Sequence, residues 1–182
     1  LNDPGTAYNE TSLLVRDNTL GGPTIRYNGQ GHVVMGGTSG HDRMRSDAGS
    51  DTLWGDDGDD RLEGGVDNDF LFGGRGNDII TDASGDDTIK GGDGHDVINA
   101  GPGLNIIFGG SGQDFVVTGN DASELFAGDG NDFIFGNIAN GAVMGNEGDD
   151  WIENGGAGDQ VGDNNDPFGR DPIRGNRSEE RR

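Results

Sequence analysis

The chain contains no cysteine, and hydrophobic residues make up only 29% of its 182 residues. The lack of cysteine excludes a disulfide framework and a thiolate metal site. No apolar run reaches the roughly 18 residues that a transmembrane helix needs, and the N-terminus lacks the pattern of a secretory signal peptide. Because the chain begins at Leu1 rather than at methionine, we expect a fragment or a processed product.

Recognisable catalytic motifs are also missing. The sequence has no H-E-x-x-H zinc-protease motif and no G-x-x-x-x-G-K-[ST] phosphate loop. Its histidines are His32, His41 and His95, and we interpret the last two as polar loop residues. Paired acids such as Asp59 and Asp60 resemble a glycosidase pair, but they recur every nine residues. We therefore predict no catalytic and no cofactor-binding residue in this chain, and we leave open whether a parent protein is an enzyme.

Glycine and acidic residues dominate what is present. There are 38 glycines, and 34 Asp and Glu residues stand against 12 Lys and Arg, for a formal net charge of −22. High charge with few hydrophobic residues is typical of disordered chains unless a regular repeat organises the sequence. The acidic balance favours cations as ligands and argues against nucleic acid or an anionic membrane as a partner.

A nine-residue repeat runs through the centre of the chain without a gap. Residues 55–81 read GDDGDDRLE, GGVDNDFLF and GGRGNDIIT, which follows G-G-x-G-x-D-x-U-x, where U is a large aliphatic residue. In fourteen consecutive units over residues 37–162, eleven sixth positions are Asp and all fourteen eighth positions are aliphatic. A degenerate unit at residues 28–36 keeps the phase but has Val33 at the sixth position, so we interpret it as a cap.

The charge follows the boundaries of the repeat. Residues 1–27 have a net charge of −1, residues 28–162 have −21, and residues 163–182 have 0. We expect an N-terminal flank or cap in the first segment and the repeat domain in the second. The third segment is predicted to be a C-terminal linker or the start of a further region.

The repeat predicts an all-β fold, a right-handed parallel β-roll (β-solenoid) of about seven turns with about 18 residues each. Glycine and Asp in the first six positions favour a tight loop, and the last three positions favour a short strand. Alternation along that strand places the eighth position in the core and the seventh and ninth outside. Loops of alternate units then stack on opposite edges of the roll, about 4.8 Å apart.

The sixth-position residues consequently form two columns of carboxylates that repel one another. Calcium relieves this repulsion because it binds roughly six to eight oxygens, whereas magnesium prefers a stricter octahedron and keeps its waters. We predict metal ligands at every sixth-position Asp. On the first edge these are Asp42, Asp60, Asp78, Asp96, Asp114, Asp132 and Asp150. On the second edge they are Asp51, Asp69, Asp87 and Asp159, and the column is interrupted by Asn105, Ser123 and Gly141.

Residues 37–162 resemble the RTX family, the haemolysin-type calcium-binding repeats of secreted bacterial proteins. The resemblance implies calcium held between loops of successive turns, export by type I secretion, folding driven by extracellular calcium, and therefore a secreted bacterial protein. The sixth-position Asp residues match the ligand position of the family, and Asn105, Ser123 and Gly141 depart from it. We expect about eight calcium ions, about six along the first edge and about two on the second between Asp51 and Asp87.

A second resemblance covers the C-terminal end of the repeat. Residues 148–153, GDDWIE, and residues 162–168, GDNNDPF, are similar to RTX segments of large bacterial proteins that also carry an animal-type haem peroxidase domain. The haem-ligand residues of such a domain are not in this chain. The sequence leaves three interpretations open: a calcium-responsive folding and export module, the non-catalytic part of a secreted enzyme, or a surface adhesin segment.

Large apolar residues at the outward-facing positions predict a partner surface, because ordinary soluble surfaces rarely present such contiguous patches. We expect flanking segments, another domain of a parent protein, a second copy of the chain or an external ligand to cover at least one of two stripes. The ninth-position stripe consists of Trp54, Phe72, Phe108, Phe126 and Met144, with Lys90 interrupting it. The seventh-position stripe consists of Ile79, Val97, Phe115, Phe133 and Trp151.

Overall fold

A computed structural model describes residues 14–17, 24–119, 121–136, 141–154, 160–162 and 173–174. These residues form eighteen β-strands in two sheets. In the same residues there is no helix long and apolar enough to cross a membrane. The predicted all-β class is confirmed.

The strands alternate between the two sheets along the chain from the second strand onward. The first sheet contains, in spatial order, β1 (Leu14–Asp17), β2 (Thr24–Tyr27), β4 (Arg43–Arg45), β6 (Arg61–Glu63), β8 (Ile79–Thr81), β10 (Val97–Asn99), β12 (Phe115–Val117), β14 (Phe133–Gly136), β16 (Trp151–Asn154) and β18 (Ile173–Arg174). The second sheet contains β3 (Val34–Thr38), β5 (Thr52–Asp57), β7 (Phe70–Arg75), β9 (Thr88–Asp93), β11 (Ile106–Ser111), β13 (Glu124–Asp129), β15 (Ala142–Glu147) and β17 (Gln160–Gly162).

Neighbouring strands within the repeat are parallel and lie 18 residues apart in the chain. Ile98 of β10, for example, pairs with Ile80 on one side and with Val116 on the other. This register confirms the predicted parallel β-solenoid of about seven turns. The first sheet also contains two strands that do not keep the spacing of 18 residues. In β2, Ile25 pairs with Met44, and in β18, Ile173 pairs with Ile152.

The core consists of two single files of aliphatic side chains, one from each sheet. All the eighth-position side chains between residues 44 and 152 are no more than 1% exposed. They are Met44, Leu53, Leu62, Leu71, Ile80, Ile89, Ile98, Ile107, Val116, Leu125, Ile134, Val143 and Ile152. Full burial of such a side chain contributes about 1.5–3 kcal/mol, and each turn supplies only two of them. The loops therefore need a further source of stability.

The predicted outward orientation of the two apolar stripes is confirmed. Trp54 is 43% exposed and Phe115 is 41% exposed, while Phe72, Phe126, Met144 and Trp151 are half-buried. Successive turns stack their rings face to face, with centroids 5.9 Å apart for Trp54–Phe72, 5.3 Å for Phe108–Phe126, 5.2 Å for Phe115–Phe133 and 6.2 Å for Phe133–Trp151. Part of the exposed apolar area is thus buried between rings.

In the middle turns of the first edge, the close stacking of the loops depends on glycine at the second position of the repeat, which Thr38, Asp56 and Asn146 occupy in the outer turns. Gly74 and Gly92 have φ angles of 119° and 128°, a region that side chains other than glycine rarely adopt. A Cβ at Gly92 would also collide with the carbonyl oxygen of Gly74 in the preceding turn. The glycine column therefore sets how closely the turns approach one another.

We expect Gly92→Ala to destabilise the calcium-loaded protein by about 1–3 kcal/mol, because the new Cβ imposes backbone strain as well as this collision. Gly36→Ala is the matched control, since a Cβ at Gly36 meets nothing within 4 Å. Guanidinium unfolding in excess calcium compares the two variants. Equal unfolding free energies would contradict this account of the loop stacking.

Candidate metal centre

The carboxylates of the first edge connect one turn to the next through the backbone. Oδ1 of Asp60 accepts a hydrogen bond from the backbone N–H of Asp42 at 2.7 Å, and Oδ1 of Asp78 accepts one from Asp60 at 2.8 Å. The same bond recurs at 2.8 Å in the turns that follow, with the acceptors Asp96, Asp114, Asp132 and Asp150. These side chains are no more than 2% exposed. One oxygen of each carboxylate is therefore used to hold the turns together.

The other carboxylate oxygen has no such role. Oδ2 is buried and accepts no hydrogen bond from any described residue in Asp60, Asp78, Asp96, Asp114 and Asp132. A Cβ at Gly55 would collide with Oδ2 of Asp60 and with the carbonyl oxygen of Gly73 in the next turn. Carboxylate and carbonyl oxygens thus border one small space between adjacent turns, which glycine keeps open.

This arrangement fits a calcium ion. Buried carboxylate oxygens are normally hydrogen-bonded, and calcium is a hard cation that takes carboxylate and carbonyl oxygens as ligands. The donor set contains no nitrogen or sulfur atom, so it does not favour zinc or another soft metal. The structure places the first-edge residues predicted from the sequence in one column, and their role as calcium ligands stays a prediction. Asp42 differs from the inner residues, because its Oδ2 accepts hydrogen bonds from the backbone N–H and the hydroxyl of Thr38 at 2.6 and 3.0 Å.

The second edge begins with the same arrangement. Oδ1 of Asp51 accepts the backbone N–H of Val33 at 2.7 Å, and Oδ1 atoms of Asp69 and Asp87 accept those of Asp51 and Asp69 at 2.7 and 2.8 Å. Oδ2 of all three Asp residues is buried and accepts no hydrogen bond within the described part of the chain. The fourth predicted ligand of this edge, Asp159, lies outside the described residues.

The arrangement changes at Asn105. Its Oδ1 still accepts the backbone N–H of Asp87 at 2.9 Å, but its Nδ2 donates to the carbonyl oxygens of Ala100 and Gly101 at 3.0 and 3.2 Å. In the next turn, the Ser123 hydroxyl donates to the carbonyl oxygen of Gly103 at 3.2 Å. These side-chain donors form hydrogen bonds with carbonyl oxygens of the loops, which are therefore less available as ligands for a cation.

Burial in these columns disfavours the charged form of the carboxylates. Desolvation is the main cause, and neighbouring carboxylates add to it at Asp60 and Asp96. From the ordinary value of 3.8, the pKa is raised to about 6 for Asp78 and to about 7 for Asp60, Asp69, Asp96 and Asp132. The pKa values of Asp51, Asp87 and Asp114 are raised as well, again mainly by burial. Without a cation, the ionised columns oppose folding at neutral pH.

One acidic residue of the second edge was missed by the sequence analysis. Asp82 occupies the first position of its loop, where the repeat motif has glycine, and it is only 8% exposed. One oxygen each of Asp69, Asp82 and Asp87 lie within 4.8 Å of one another. Burial and the neighbouring Asp87 raise the pKa of Asp82 to about 9. The departure from glycine was the signal in the sequence that could have identified it.

The interpretation of His41 and His95 as loop residues agrees with their contacts. Both are exposed, and their Nδ1 atoms accept hydrogen bonds from the backbone N–H groups of Asp59 at 2.8 Å and Gln113 at 2.7 Å. Each histidine thus links its loop to the loop of the next turn, as Asn77 does with the N–H of His95.

Comparison with known protein families gives a match to a repeat family. The family model for the RTX calcium-binding nonapeptide repeat matches four copies in the chain, over residues 36–71, 72–107, 83–116 and 108–143. Together the matches cover more than half of the 182 residues. The matched model describes a repeat and not a catalytic domain. A search of curated proteins finds no match.

The raised pKa values predict that the calcium-free roll is more stable in acid than at neutral pH. Folding raises the pKa of Asp60, Asp96 and Asp132 from 3.8 to about 7, so the folded chain binds more protons between those values. This stabilisation is fully present below a pH of 3.8 and is lost as the pH rises through about 7. Circular dichroism in EDTA should therefore show more β-structure at pH ~5 than at pH ~7.5.

Saturating calcium provides the control for this measurement. With the carboxylates already neutralised by the ion, the same acidification should add no β-structure. Identical calcium-free spectra at both pH values would show that the buried carboxylates do not oppose folding.

Proposed function

Because the chain belongs to the RTX family of calcium-binding nonapeptide repeats, we propose that it folds as it binds calcium and acts as a folding and export module of a larger secreted bacterial protein. The observation that carries this proposal is the column of buried first-edge carboxylates. Each inner Asp uses Oδ1 to accept a backbone N–H of the preceding turn, while Oδ2 has no hydrogen-bond partner among the described residues.

The coupling of folding to binding follows from the distribution of the ligands. The two loops that border one site are 18 residues apart in the chain, so the unfolded chain does not hold their oxygens together. Binding free energy is then available only to the folded state and contributes directly to its stability. When bound, calcium supplies the positive charge that the aliphatic core and the internal hydrogen bonds of the first edge do not provide.

Calcium concentration would also decide where the chain folds. Secretion and type I export are typical of the family to which the chain belongs. A chain that stays unfolded at the low calcium concentration of a bacterial cytoplasm remains competent for export, and it folds outside the cell, where calcium is more abundant. In this proposal the chain is not itself an enzyme; any catalytic activity, including that of a haem peroxidase domain, belongs to the rest of the parent protein.

The apolar stripes are the proposed contact surface for another domain of the parent protein or a second copy of the chain. Val97 of the seventh-position stripe is 42% exposed and Phe108 of the ninth-position stripe is 38% exposed. Ile79, Phe115 and Phe133 of the seventh-position stripe are exposed as well. Their exposure supports the proposal without distinguishing between the two partners.

We expect the protein to be largely disordered in EDTA and to gain β-structure in millimolar calcium, because the ligands are brought together only by folding. Far-ultraviolet circular dichroism during a calcium titration measures this change. Magnesium at the same concentration is the control and should produce a smaller gain, since it keeps its waters and favours a stricter octahedron. A fully folded spectrum in EDTA that calcium does not alter would overturn the proposal.

We further propose that the calcium ions are distributed unequally, with about six on the first edge and about two on the second. The Asn105→Asp variant tests this rule. Replacing the amide removes the donor to Ala100 and Gly101 and leaves a buried carboxylate oxygen opposite Asp87. Native mass spectrometry should then count about one more calcium ion than in the wild type.

Asn77→Asp is the matched control for the count. Asn77 is an exposed fifth-position residue, and Asp59 already accepts the same kind of backbone hydrogen bond at the equivalent position one turn earlier. This variant should leave the number of ions unchanged. Anomalous scattering that shows full calcium columns along both edges of the wild type would refute the unequal distribution.

A further inference from the structure

The loop at residues 82–87 differs from every other loop of the repeat in its first residue. Among the fourteen units, Asp82 is the only acidic residue at the first position, which is otherwise Gly, Ala, Ser, Thr or Asn. We infer that Asp82 converts the space between Asp69 and Asp87 into a three-carboxylate cation site, the tightest calcium site in the described part of the chain. This inference rests on the proposed calcium binding and assigns to one site a ligand that the repeat motif does not contain.

The geometry brings three carboxylates together from two successive turns. Asp82 and Asp87 belong to the same loop, Asp69 belongs to the loop of the preceding turn, and one oxygen from each lies within 4.8 Å of the other two. A Cβ at Gly64 would lie 2.5 Å from both Oδ2 of Asp69 and Oδ1 of Asp82. Glycine at position 64 therefore leaves the space into which the extra carboxylate fits.

The three side chains have oxygens that no protein group satisfies. Asp69 and Asp87 are each 1% exposed and Asp82 is 8% exposed. Oδ2 of all three is buried and accepts no hydrogen bond within the described residues. The ion pairs found among the described residues of the chain involve other acidic residues, such as Asp47 and Glu63. Three buried carboxylates with no cationic side chain require a bound cation or protons.

A purely structural role explains only part of what Asp82 does. Its Oδ1 accepts the backbone N–H of Gly65 at 3.1 Å, which ties its loop to the preceding turn. An asparagine would serve that purpose equally well with its amide oxygen, and it would bring no negative charge. The second oxygen of Asp82, and the negative charge that the residue carries when it is ionised, are therefore left for a cation.

The third carboxylate should distinguish this site from the others on both edges. The remaining first-position residues next to predicted ligands offer no carboxylate, since they are glycine throughout the first edge except for Ala127. Calcium affinity rises with the number of charged ligands. We therefore expect the site to fill first in a titration and to bind a trivalent lanthanide ion, another hard cation, with a still greater preference over the other sites.

The test compares wild type, Asp82→Asn, Asp82→Gly and Asp86→Asn. Asp82→Asn removes the charge but keeps an acceptor for the N–H of Gly65, and Asp82→Gly restores the residue of the motif. Asp86→Asn is the matched control, because Asp86 is exposed in the same loop and its Oδ1 accepts the backbone N–H of Leu104, which an asparagine oxygen also does. Calcium binding is measured by competition with a chromophoric chelator, and circular dichroism in saturating calcium checks that each variant folds.

We expect both Asp82 variants to lower the calcium affinity of the tightest site, which holds about one ion, by about tenfold or more. Asp86→Asn should leave that affinity within about twofold of wild type. One equivalent of terbium should show a shorter luminescence lifetime in water with Asp82→Gly than with wild type, because water replaces the lost carboxylate. If Asp82→Asn does not fold in saturating calcium, Asp82→Gly decides the comparison.

The outcomes separate this inference from the proposed function. If wild type binds calcium and folds, but the Asp82 variants and Asp86→Asn have the same tightest affinity, Asp82 is a structural residue and the inference is wrong. If wild type binds no calcium, the proposed function itself fails. If only the Asp82 variants lose the tightest calcium site, and they still fold in excess calcium, the result supports both the inference and the proposed function.

Discussion

The structure depends on the separate roles of the two carboxylate oxygens at the inner sixth positions, which are Asp51, Asp60, Asp69, Asp78, Asp87, Asp96, Asp114 and Asp132. Oδ1 accepts a backbone N–H from the preceding turn, as in the 2.8 Å bond from Asp78 to Asp96, and so fixes the register of the stack. Oδ2 points into the space between loops, where it meets no donor among the described residues. The same side chain thus links successive turns and, through its buried charge, destabilises the folded roll until a cation is bound. Neutral residues in these positions would remove the charge. They would also remove the link between turns unless they kept an oxygen acceptor, as Asn105 does.

The two edges differ in how they use this pair of oxygens. On the first edge each inner loop pairs a carboxylate with a first-position glycine, or with Ala127 in the loop of Asp132. These residues bring no side-chain donor that would compete with a cation. On the second edge, the amide of Asn105 and the hydroxyl of Ser123 use their own hydrogens to satisfy loop carbonyl oxygens. The C-terminal half of that edge therefore needs less positive charge from outside, and the fold there rests more on its internal hydrogen bonds and on the aliphatic core.

Periodicity made most of the fold predictable from the sequence. A strict nine-residue phase assigned Leu71 and Ile80 to the core, Phe115 to the surface and the Asp columns to opposite edges, because each position repeats the same local geometry. What departs from the phase was not predictable in the same way. The pairing of β2 and β18 with the repeat strands lies outside the regular spacing. Asp82 stands where the motif has glycine, and its proposed role rests on its closeness in space to Asp69 and Asp87. Such features need the three-dimensional arrangement.

The antiparallel pairing of β1 with β2 has a consequence for assembly. A solenoid of identical parallel strands ends in two surfaces that complement each other, so copies are able to add end to end into a fibre. Strand β1 reverses direction at the outer border of the first sheet, and antiparallel strands space their hydrogen-bonding groups differently from parallel ones. The N-terminal border of that sheet therefore no longer matches the parallel strand at its far border. The reversed strand therefore disfavours the addition of another copy at this border of the first sheet.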